Sequence, residues 1–195
     1  MSRNKHRVRY ELDSGGIKSL TDGEIKAILR AADGLIATGG RSMLAKILKG
    51  SRDKKVLEHG LDQCPAYGFY RKLTLPEITN RIDWMIKKDY LDIEYSGKLP
   101  MLVFTEKGWE IERETYAEEL LHKLTGLLDG RDYSFVHELK DRNRGMILLL
   151  IEKIREAGNA RFIPLLKEWK AIEYKKVQAE LQRAIDYLMK EGIIF

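Results

Sequence analysis

The sequence predicts a mainly α-helical protein with one small β-hairpin, and three observations support this prediction. Apolar residues recur at helical spacing through most of the chain, as expected for helices with one buried face. Residues 73–111 change period halfway, from helical spacing between Leu75 and Ile86 to strand-forming residues from Tyr90 onward. After Trp109 the composition shifts, and the patterns that follow are helical only. We therefore expect a helical domain with a hairpin, followed by an all-helical domain.

The stretch at residues 73–111 has the clearest local signals. Thr74 can cap a helix, and Glu77 lies three residues after the cap, which completes a capping box. Beyond this helix, two strand-forming runs flank Ser96 and Gly97, and a glycine-containing turn between two strands predicts a hairpin. A capped helix followed directly by a hairpin is the second half of a winged helix, a fold that presents a helix and a wing to a nucleic acid.

An earlier helix is predicted over residues 20–36. Thr21 is its expected cap, Glu24 stands at the capping-box position, and we expect Gly39 and Gly40 to end it. These two glycines resemble part of a phosphate-binding loop. However, Gly40 stands where such a loop needs lysine, and a helix precedes it instead of a strand, so we predict a tight turn without ATP binding.

Two more helices complete the first region. Ser42 is the expected cap of the second helix, and Gly50 and Ser51 are expected to stop it. A third, short helix is predicted over residues 53–59. The order helix, helix, short helix, helix, hairpin is that of a winged helix.

The sequence suggests three regions, with the main boundary near residues 112–116. We expect a basic N-terminal arm at residues 1–19 (Arg3, Lys5, Arg7 and Arg9), a winged helix at 20–112 and a helical domain at 113–195. The predicted C-terminal helices cover residues 113–128, 146–154, 160–169 and 174–189, with Gly192 capping the last. In that last helix one face is expected to be buried, formed by Val177, Leu181, Ile185 and Leu188.

Composition narrows the class of protein. The 195 residues carry a net charge of +5, which fits a nucleic-acid binder but is shared by many basic enzymes. Cys64 is the only cysteine, so neither an intrachain disulfide nor a cysteine-based zinc site can form within this chain. No apolar run approaches the ~20 residues that span a bilayer, and no secretory signal is present. We expect a cytoplasmic protein without membrane contact.

The sequence contains no recognisable catalytic or metal-binding motif. The four histidines lack metal-ligand spacing, and Cys64 has no candidate base near it in sequence. Acidic residues alternate with lysine and arginine, as on solvated helix faces. We predict no catalytic residues, no metal site, no cofactor and no enzymatic activity.

Positive charge concentrates at residues 41–55, where six basic residues accompany the single acidic Asp53. The break at Gly50 and Ser51 is expected to leave the N-terminus of the next short helix free, where N–H groups and the helix dipole favour a phosphate. The residues that we expect to contact DNA are Arg41, Lys49, Ser51, Arg52, Lys54, Lys55, Asn80, Arg81 and Lys98.

Several short motifs in the right order identify a family. They are Leu-Lys-Gly-Ser at residues 48–51, Tyr-Gly at 67–68, Lys-Asp-Tyr-Leu at 88–91 and Thr-Glu-Lys-Gly at 105–108. With them, residues 35–111 resemble the RecQ C-terminal (RQC) domain, the winged helix of RecQ-type DNA helicases.

The resemblance implies binding of duplex and branched DNA, largely through phosphates. Ser51 and Lys55 match the positions at which the family holds the DNA backbone, and Arg52 and Lys54 flank them. No helicase motor and no four-cysteine zinc subdomain are present in the sequence, so the chain resembles a stand-alone bacterial RQC-like protein (the RQC-minor type), expected at the nucleoid. The wing tip has no aromatic residue to stack on a terminal base pair, so we expect it to contact DNA without separating strands.

The C-terminal half lies outside this resemblance and allows three interpretations. Residues 147–185 are similar to HEAT-type helix pairs, a plain helical bundle explains them equally well, and residues 187–195 echo 87–93 as in a truncated second winged helix. We expect a platform for a protein partner or for self-association.

The function that the sequence predicts is structure-directed, largely sequence-independent DNA binding in repair, recombination or replication. The alternatives are a winged-helix transcriptional regulator, or a protein-interaction adaptor that has lost DNA binding.

Overall fold

The structure, a computed structural model, describes residues 11–140 and 142–191. The predicted cations at Arg3, Lys5, Arg7 and Arg9 and the predicted cap at Gly192 lie outside the described residues. The chain divides into two compact units between Glu112 and Arg113. It is mainly helical and contains a two-stranded antiparallel sheet, so the predicted fold class is confirmed.

The first unit has the helix, helix, short helix, helix, hairpin order expected of a winged helix. Its elements are α1 (Asp22–Asp33), α2 (Arg41–Lys49), α3 (Lys54–Glu58), α4 (Leu75–Lys87), β1 (Leu91–Ser96), β2 (Leu99–Phe104) and the first part of α5 (Glu106–Leu127). A short 3-10 turn, Leu61–Gln63, follows α3. The core is formed mainly by apolar faces of α1, α2 and α4, where Ile28, Leu44 and Ile82 are fully buried.

Both predicted capping boxes are present. The Glu24 carboxylate accepts a bond of 2.9 Å from the Thr21 N–H, and the Glu77 carboxylate accepts one of 2.7 Å from the Thr74 N–H. Burial would raise the pKa of Glu24, but hydrogen bonds from the Thr21 N–H and the Tyr70 hydroxyl outweigh it and lower this pKa. Hydrogen bonds from Thr74 lower the pKa of Glu77. Both caps therefore favour the charged carboxylate.

The connection between α1 and α2 differs from the prediction. α1 ends at Asp33, and residues beyond it run beside β2, where the Ala37 N–H donates to Leu102 O and the Leu102 N–H donates to Gly39 O, both at 2.9 Å. The N-cap of α2 is Gly40 and not Ser42, because Gly40 is extended and closely apposed to the sheet. A Cβ on Gly40 would lie 2.8 Å from the Pro100 carbonyl oxygen, so a side chain would not fit.

The hairpin is regular along its whole length. Leu91 pairs with Phe104 at one end and Ser96 with Leu99 at the other, which leaves a two-residue turn. Gly97 occupies the first turn position with φ of 67°, a conformation that glycine adopts without steric cost.

The second unit is helical throughout its described residues. It contains most of α5, then α6 (Arg144–Glu156), α7 (Ile163–Ile172) and α8 (Lys175–Glu191), with 3-10 turns at Ser134–Leu139 and Ala160–Phe162. The expected apolar face of α8 is buried, at Val177, Leu181, Ile185 and Leu188. This face packs against α6 and α7 around the fully buried Trp169.

α5 begins seven residues earlier than predicted, at Glu106 instead of Arg113. The reason is an N-terminal cap at Thr105, which precedes the predicted start of the helix. Thr105 Oγ1 accepts a hydrogen bond of 3.1 Å from the Gly108 N–H, and Thr105 O accepts the first helical bond from Trp109. Gly108 lies so close to the Tyr90 carbonyl that a Cβ would approach its oxygen to 1.9 Å.

Candidate nucleic-acid interface

The α2–α3 segment, residues 50–55, is anchored by the chain that follows the 3-10 turn. The Gly68 N–H donates to Ile47 O at 2.9 Å, and the Tyr70 N–H donates to Leu48 O at 2.8 Å. These bonds hold the chain that follows the 3-10 turn against the last carbonyls of α2, of which Ile47 O also accepts a bond of 2.9 Å from the Gly50 N–H. The segment therefore leaves α2 in a defined direction.

Two glycines make this arrangement possible. Gly50 and Gly68 both have positive φ, 75° and 73°, and a Cβ on Gly50 would lie 3.0 Å from the Gly68 Cα. Next to them, the Tyr67 hydroxyl donates a bond of 3.0 Å to Ser51 O. The Leu-Lys-Gly-Ser and Tyr-Gly motifs of the sequence are thus one structural unit.

The N-terminus of α3 is not free for a phosphate, so that expectation is wrong. Asp53 caps this five-residue helix, because its carboxylate accepts a hydrogen bond of 3.0 Å from the Lys55 N–H and one of 2.8 Å from Lys46 Nζ. The bond from Lys46, followed by the bond from Lys55, lowers the pKa of Asp53. The Ser51 hydroxyl is also engaged, since its oxygen accepts a bond of 3.2 Å from the Asp53 N–H.

Exposed cations remain on the same segment. Arg52 and Lys55 are exposed, and within the described residues their side chains have no hydrogen-bonding or ion-pair partner. Lys54 lies 3.4 Å from Glu58, but its side chain is 86% exposed, so solvent screens this pair strongly. Four of the predicted contact residues, from Ser51 to Lys55, are therefore brought together on one rigid segment.

Two further cations, Arg71 and Lys72, adjoin this segment and are not among the contact residues predicted from the sequence. Arg71 Nε donates to Gly68 O at 3.3 Å, and its guanidinium lies 3.4 Å from the position that a Cβ on Gly68 would occupy. Both residues are exposed. The signal that could have found them is their place three and four residues after Gly68 of the Tyr-Gly motif, which packs against Gly50.

Two predicted contact residues have partners inside the protein. Arg41 Nη1 lies 2.6 Å from both carboxylate oxygens of Asp83, a residue that is 2% exposed. Lys49 Nζ donates to the carbonyls of Arg71 and Leu73, both at 2.7 Å. Both cations therefore stabilise the fold through contacts inside the protein. Contact of either with DNA stays a prediction.

The polar face of α4 is partly covered. Arg81 Nε lies 3.4 Å from the Glu24 carboxylate, and its guanidinium stacks 5.3 Å from the Tyr70 ring centroid. Asn80 is half-buried beneath Gly15, where an added Cβ would lie 2.2 Å from Asn80 Nδ2. The Asn80 amide is therefore partly covered, and DNA contact by Asn80 and Arg81 likewise stays a prediction.

The wing carries the last predicted contact. Lys98 is exposed at the second position of the hairpin turn, and the adjacent Leu99 is 62% exposed. The tip thus combines one cation with one aliphatic side chain. Contact between Lys98 and DNA stays a prediction.

The described ranges contain no group of three histidine, cysteine, aspartate or glutamate side chains that could hold a metal ion. Across those same ranges, none of the helices has both the length and the apolar character needed to cross a membrane.

The geometry of this unit agrees with a comparison to known protein families. The family called RQC domain matches residues 21–120, just over half of the chain. The chain belongs to the RQC domain family. RQC domains bind DNA in RecQ helicases, and the RQC domain itself is non-catalytic. The α2–α3 segment, α4 and the hairpin all lie within the match.

A curated relative supports the same family. The chain is 35% identical over 69 residues to the ATP-dependent DNA helicase RecQ of Bacillus subtilis (strain 168). That alignment covers 35% of this chain and 12% of the helicase, so the chain spans a small part of its relative's length. No solved structure matches the chain.

Proposed function

We propose that this RQC protein binds DNA in a structure-directed and largely sequence-independent manner, in DNA repair, recombination or replication. The observation that carries the proposal is the α2–α3 segment, which holds the side chains of Arg52 and Lys55 exposed and without a hydrogen-bonding or ion-pair partner among the described residues. The proposal implies action at the bacterial nucleoid, in the cytoplasm. DNA binding by RQC domains in RecQ helicases supports the choice of ligand.

Phosphates are the part of DNA that these cations suit best. Lysine and arginine side chains on a fixed segment can neutralise the regularly spaced phosphates of the DNA backbone. Such contacts position the protein on the DNA but do not recognise its base sequence. A base-reading mode would need side chains directed at base edges. On the polar face of α4, Asn80 is half-buried under Gly15 and Arg81 is paired with Glu24. Weak sequence preference follows from this arrangement.

Arg71 and Lys72 extend the proposed contact surface beyond the segment that the sequence indicated. The Arg71 guanidinium is held against Gly68, which itself contacts Gly50. A backbone phosphate bound near Ser51 would therefore be close to Arg71 as well as to the cations of the α2–α3 segment.

The test is fluorescence anisotropy with labelled duplex, forked, four-way-junction and single-stranded DNA, at about 50 mM and about 200 mM salt. For duplex DNA, the Arg52→Ala/Lys55→Ala variant should bind more weakly and reduce the salt slope by about 2, since each phosphate contact contributes about 1. Lys26→Ala, an exposed lysine on α1, is the matched control and should bind like the unaltered protein. Unchanged affinity and slope in the double variant would refute the proposed site.

Two other functions predict different results, one in a separate selection experiment and one in this binding test. A transcriptional regulator would show one strongly preferred sequence in a selection from random duplexes. An adaptor would bind none of the four DNA forms, and the exposed Leu57 and Phe69, 45% and 48% accessible, are the observation in its favour. Our proposal predicts neither result.

A further inference from the structure

A second positively charged surface lies in the second unit, outside the part of the chain that matches the RQC family. The turn before α6 and the turn before α8 form a cleft of about 200 Å³. Lys140, Arg142 and Arg144 line it together with the ring of Tyr174. We call this feature the basic cleft.

An exposed aromatic ring distinguishes this cleft from a merely charged surface. Tyr174 is 56% exposed. Lys140 Nζ lies 5.5 Å from the centroid of the ring, over its face. Lys175 and Lys176 follow directly and are exposed as well. Cations around an accessible aromatic face are the combination that single-stranded nucleic acid recognises.

The carboxylate in the lining of the cleft is turned inward. Glu173 is 7% exposed, and its oxygens accept hydrogen bonds from Trp169 Nε1 at 2.9 Å and from the Tyr174 N–H at 3.2 Å. These bonds fix the turn that displays the Tyr174 ring. Among the described residues that line the cleft, the exposed charged side chains are therefore those of Lys140 and Arg144.

Size limits the kind of ligand. Pockets for cofactors and drug-sized molecules measure about 300–1,000 Å³, whereas this cleft measures about 200 Å³. It can take one group of a larger ligand that continues across the surface. Arg144 and Lys175 begin α6 and α8, so the partially positive ends of two helices add to the side-chain charge.

We propose that the basic cleft binds single-stranded DNA, with one base stacked on Tyr174 and neighbouring phosphates held by Lys140, Arg144 and the lysines that follow Tyr174. A single strand fits because its bases have open faces, whereas duplex bases are stacked on one another. This inference rests on the proposed function only for the choice of DNA as ligand. It does not depend on the α2–α3 segment.

The experiment uses the full chain and fluorescein-labelled oligothymidine, with a blunt duplex measured in parallel. Tyr174→Ala should weaken oligothymidine binding by about 5- to 150-fold, the equivalent of ~1–3 kcal/mol for one base–aromatic stack. Tyr174→Phe keeps the ring and should bind oligothymidine as the unaltered chain does. Lys140→Ala/Arg144→Ala should reduce the salt slope for oligothymidine by about 1.4, since each single-strand phosphate contact contributes about 0.7.

The outcomes separate this proposal from the proposed function. If Tyr174→Ala binds oligothymidine normally, or if Tyr174→Phe is as weak as Tyr174→Ala, the basic cleft is not a stacking site. If polyglutamate displaces oligothymidine from the cleft as well as unlabelled oligothymidine does, the surface serves an acidic protein and the proposal fails. Loss of duplex binding in Arg52→Ala/Lys55→Ala, with oligothymidine binding retained, supports both sites independently. Circular dichroism of each variant verifies that it is folded.

Discussion

Arg41 Nη1 lies 2.6 Å from each carboxylate oxygen of Asp83, and this ion pair joins the start of α2 to the middle of α4. The side chains of Asp83 and Arg41 are 2% and 15% exposed. Asp83 also accepts a hydrogen bond of 2.9 Å from the Asp13 N–H, so the chain before α1 is held at the same point. Arg41, which we predicted from the sequence to contact DNA, therefore pairs with a buried carboxylate.

Arg41→Ala should destabilise the protein by about 3–5 kcal/mol, because it leaves the buried Asp83 charge without its counter-ion. Urea unfolding followed by circular dichroism measures the change. Lys54→Ala is the control, since its pair with Glu58 is exposed and should contribute little. Equal stability of the two variants would mean that the Arg41–Asp83 pair does not stabilise the unit.

Gly50→Ala should both destabilise the fold and weaken duplex binding. Its φ of 75° costs an alanine about 1–2 kcal/mol, and the new Cβ would lie 3.0 Å from the Gly68 backbone. Gly60→Ala is a matched control with a φ of 63° and no atom within 4 Å of its Cβ position. We expect Gly60→Ala to show the conformational cost alone, with normal anisotropy on duplex DNA. If the two variants bind DNA equally, the contact between the glycines does not position the α2–α3 segment.

Asp53→Asn should strengthen DNA binding. Asparagine caps helices as well as aspartate does, so α3 should persist, while a negative charge next to Arg52 and Lys55 is removed and Lys46 is released. Removal of a single exposed surface charge should raise the affinity by up to roughly 5-fold. Anisotropy at low salt measures it. Weaker binding by Asp53→Asn, with α3 intact, would show that phosphates are not bound at this segment.

Local signals made most of the fold predictable. Thr21 with Glu24 and Thr74 with Glu77 are capping boxes whose partners are three residues apart, so the pattern and its cause occupy the same short window. The buried face of α8 was visible for the same reason. The start of α5 was missed at Thr105, a local cap that the shift in composition concealed.

The site was less predictable, because its geometry depends on residues that are distant in sequence. Arg41 and Asp83 are 42 positions apart, and nothing near Arg41 indicates a buried acceptor for it. Asp53 was visible, but as an isolated negative charge and not as the cap of α3. Charge clustering identifies where cations occur, whereas the packing of the fold decides which of them remain available.

Acid should destabilise the first unit through its capping carboxylates. The pKa values of Glu24 and Glu77 lie below the ordinary 4.5 in the folded chain, so the unfolded chain takes up protons first as the pH falls. Their stabilising contribution is complete above pH 4.5 and is lost as the pH falls through the lowered values. Thermal unfolding across this range should show a falling midpoint. Glu24→Gln/Glu77→Gln keeps both capping geometries, because glutamine also closes a capping box, and should flatten the dependence. If the unfolding midpoint of this variant depends on pH as steeply as that of the unaltered protein, other groups cause the acid sensitivity.

Lys98→Ala should lower duplex affinity about equally for all sequences and reduce the salt slope by about 1, as expected for one phosphate contact. The physical reason is the position of Lys98 on the exposed two-residue turn, where the side chain can follow the DNA backbone. Leu99→Ala is the companion variant. Leu99 is 62% exposed and carries no charge, so its loss should leave the salt slope unchanged. Anisotropy with duplex DNA at several salt concentrations provides both slopes, and an unchanged slope for Lys98→Ala would mean that the wing does not contact phosphate.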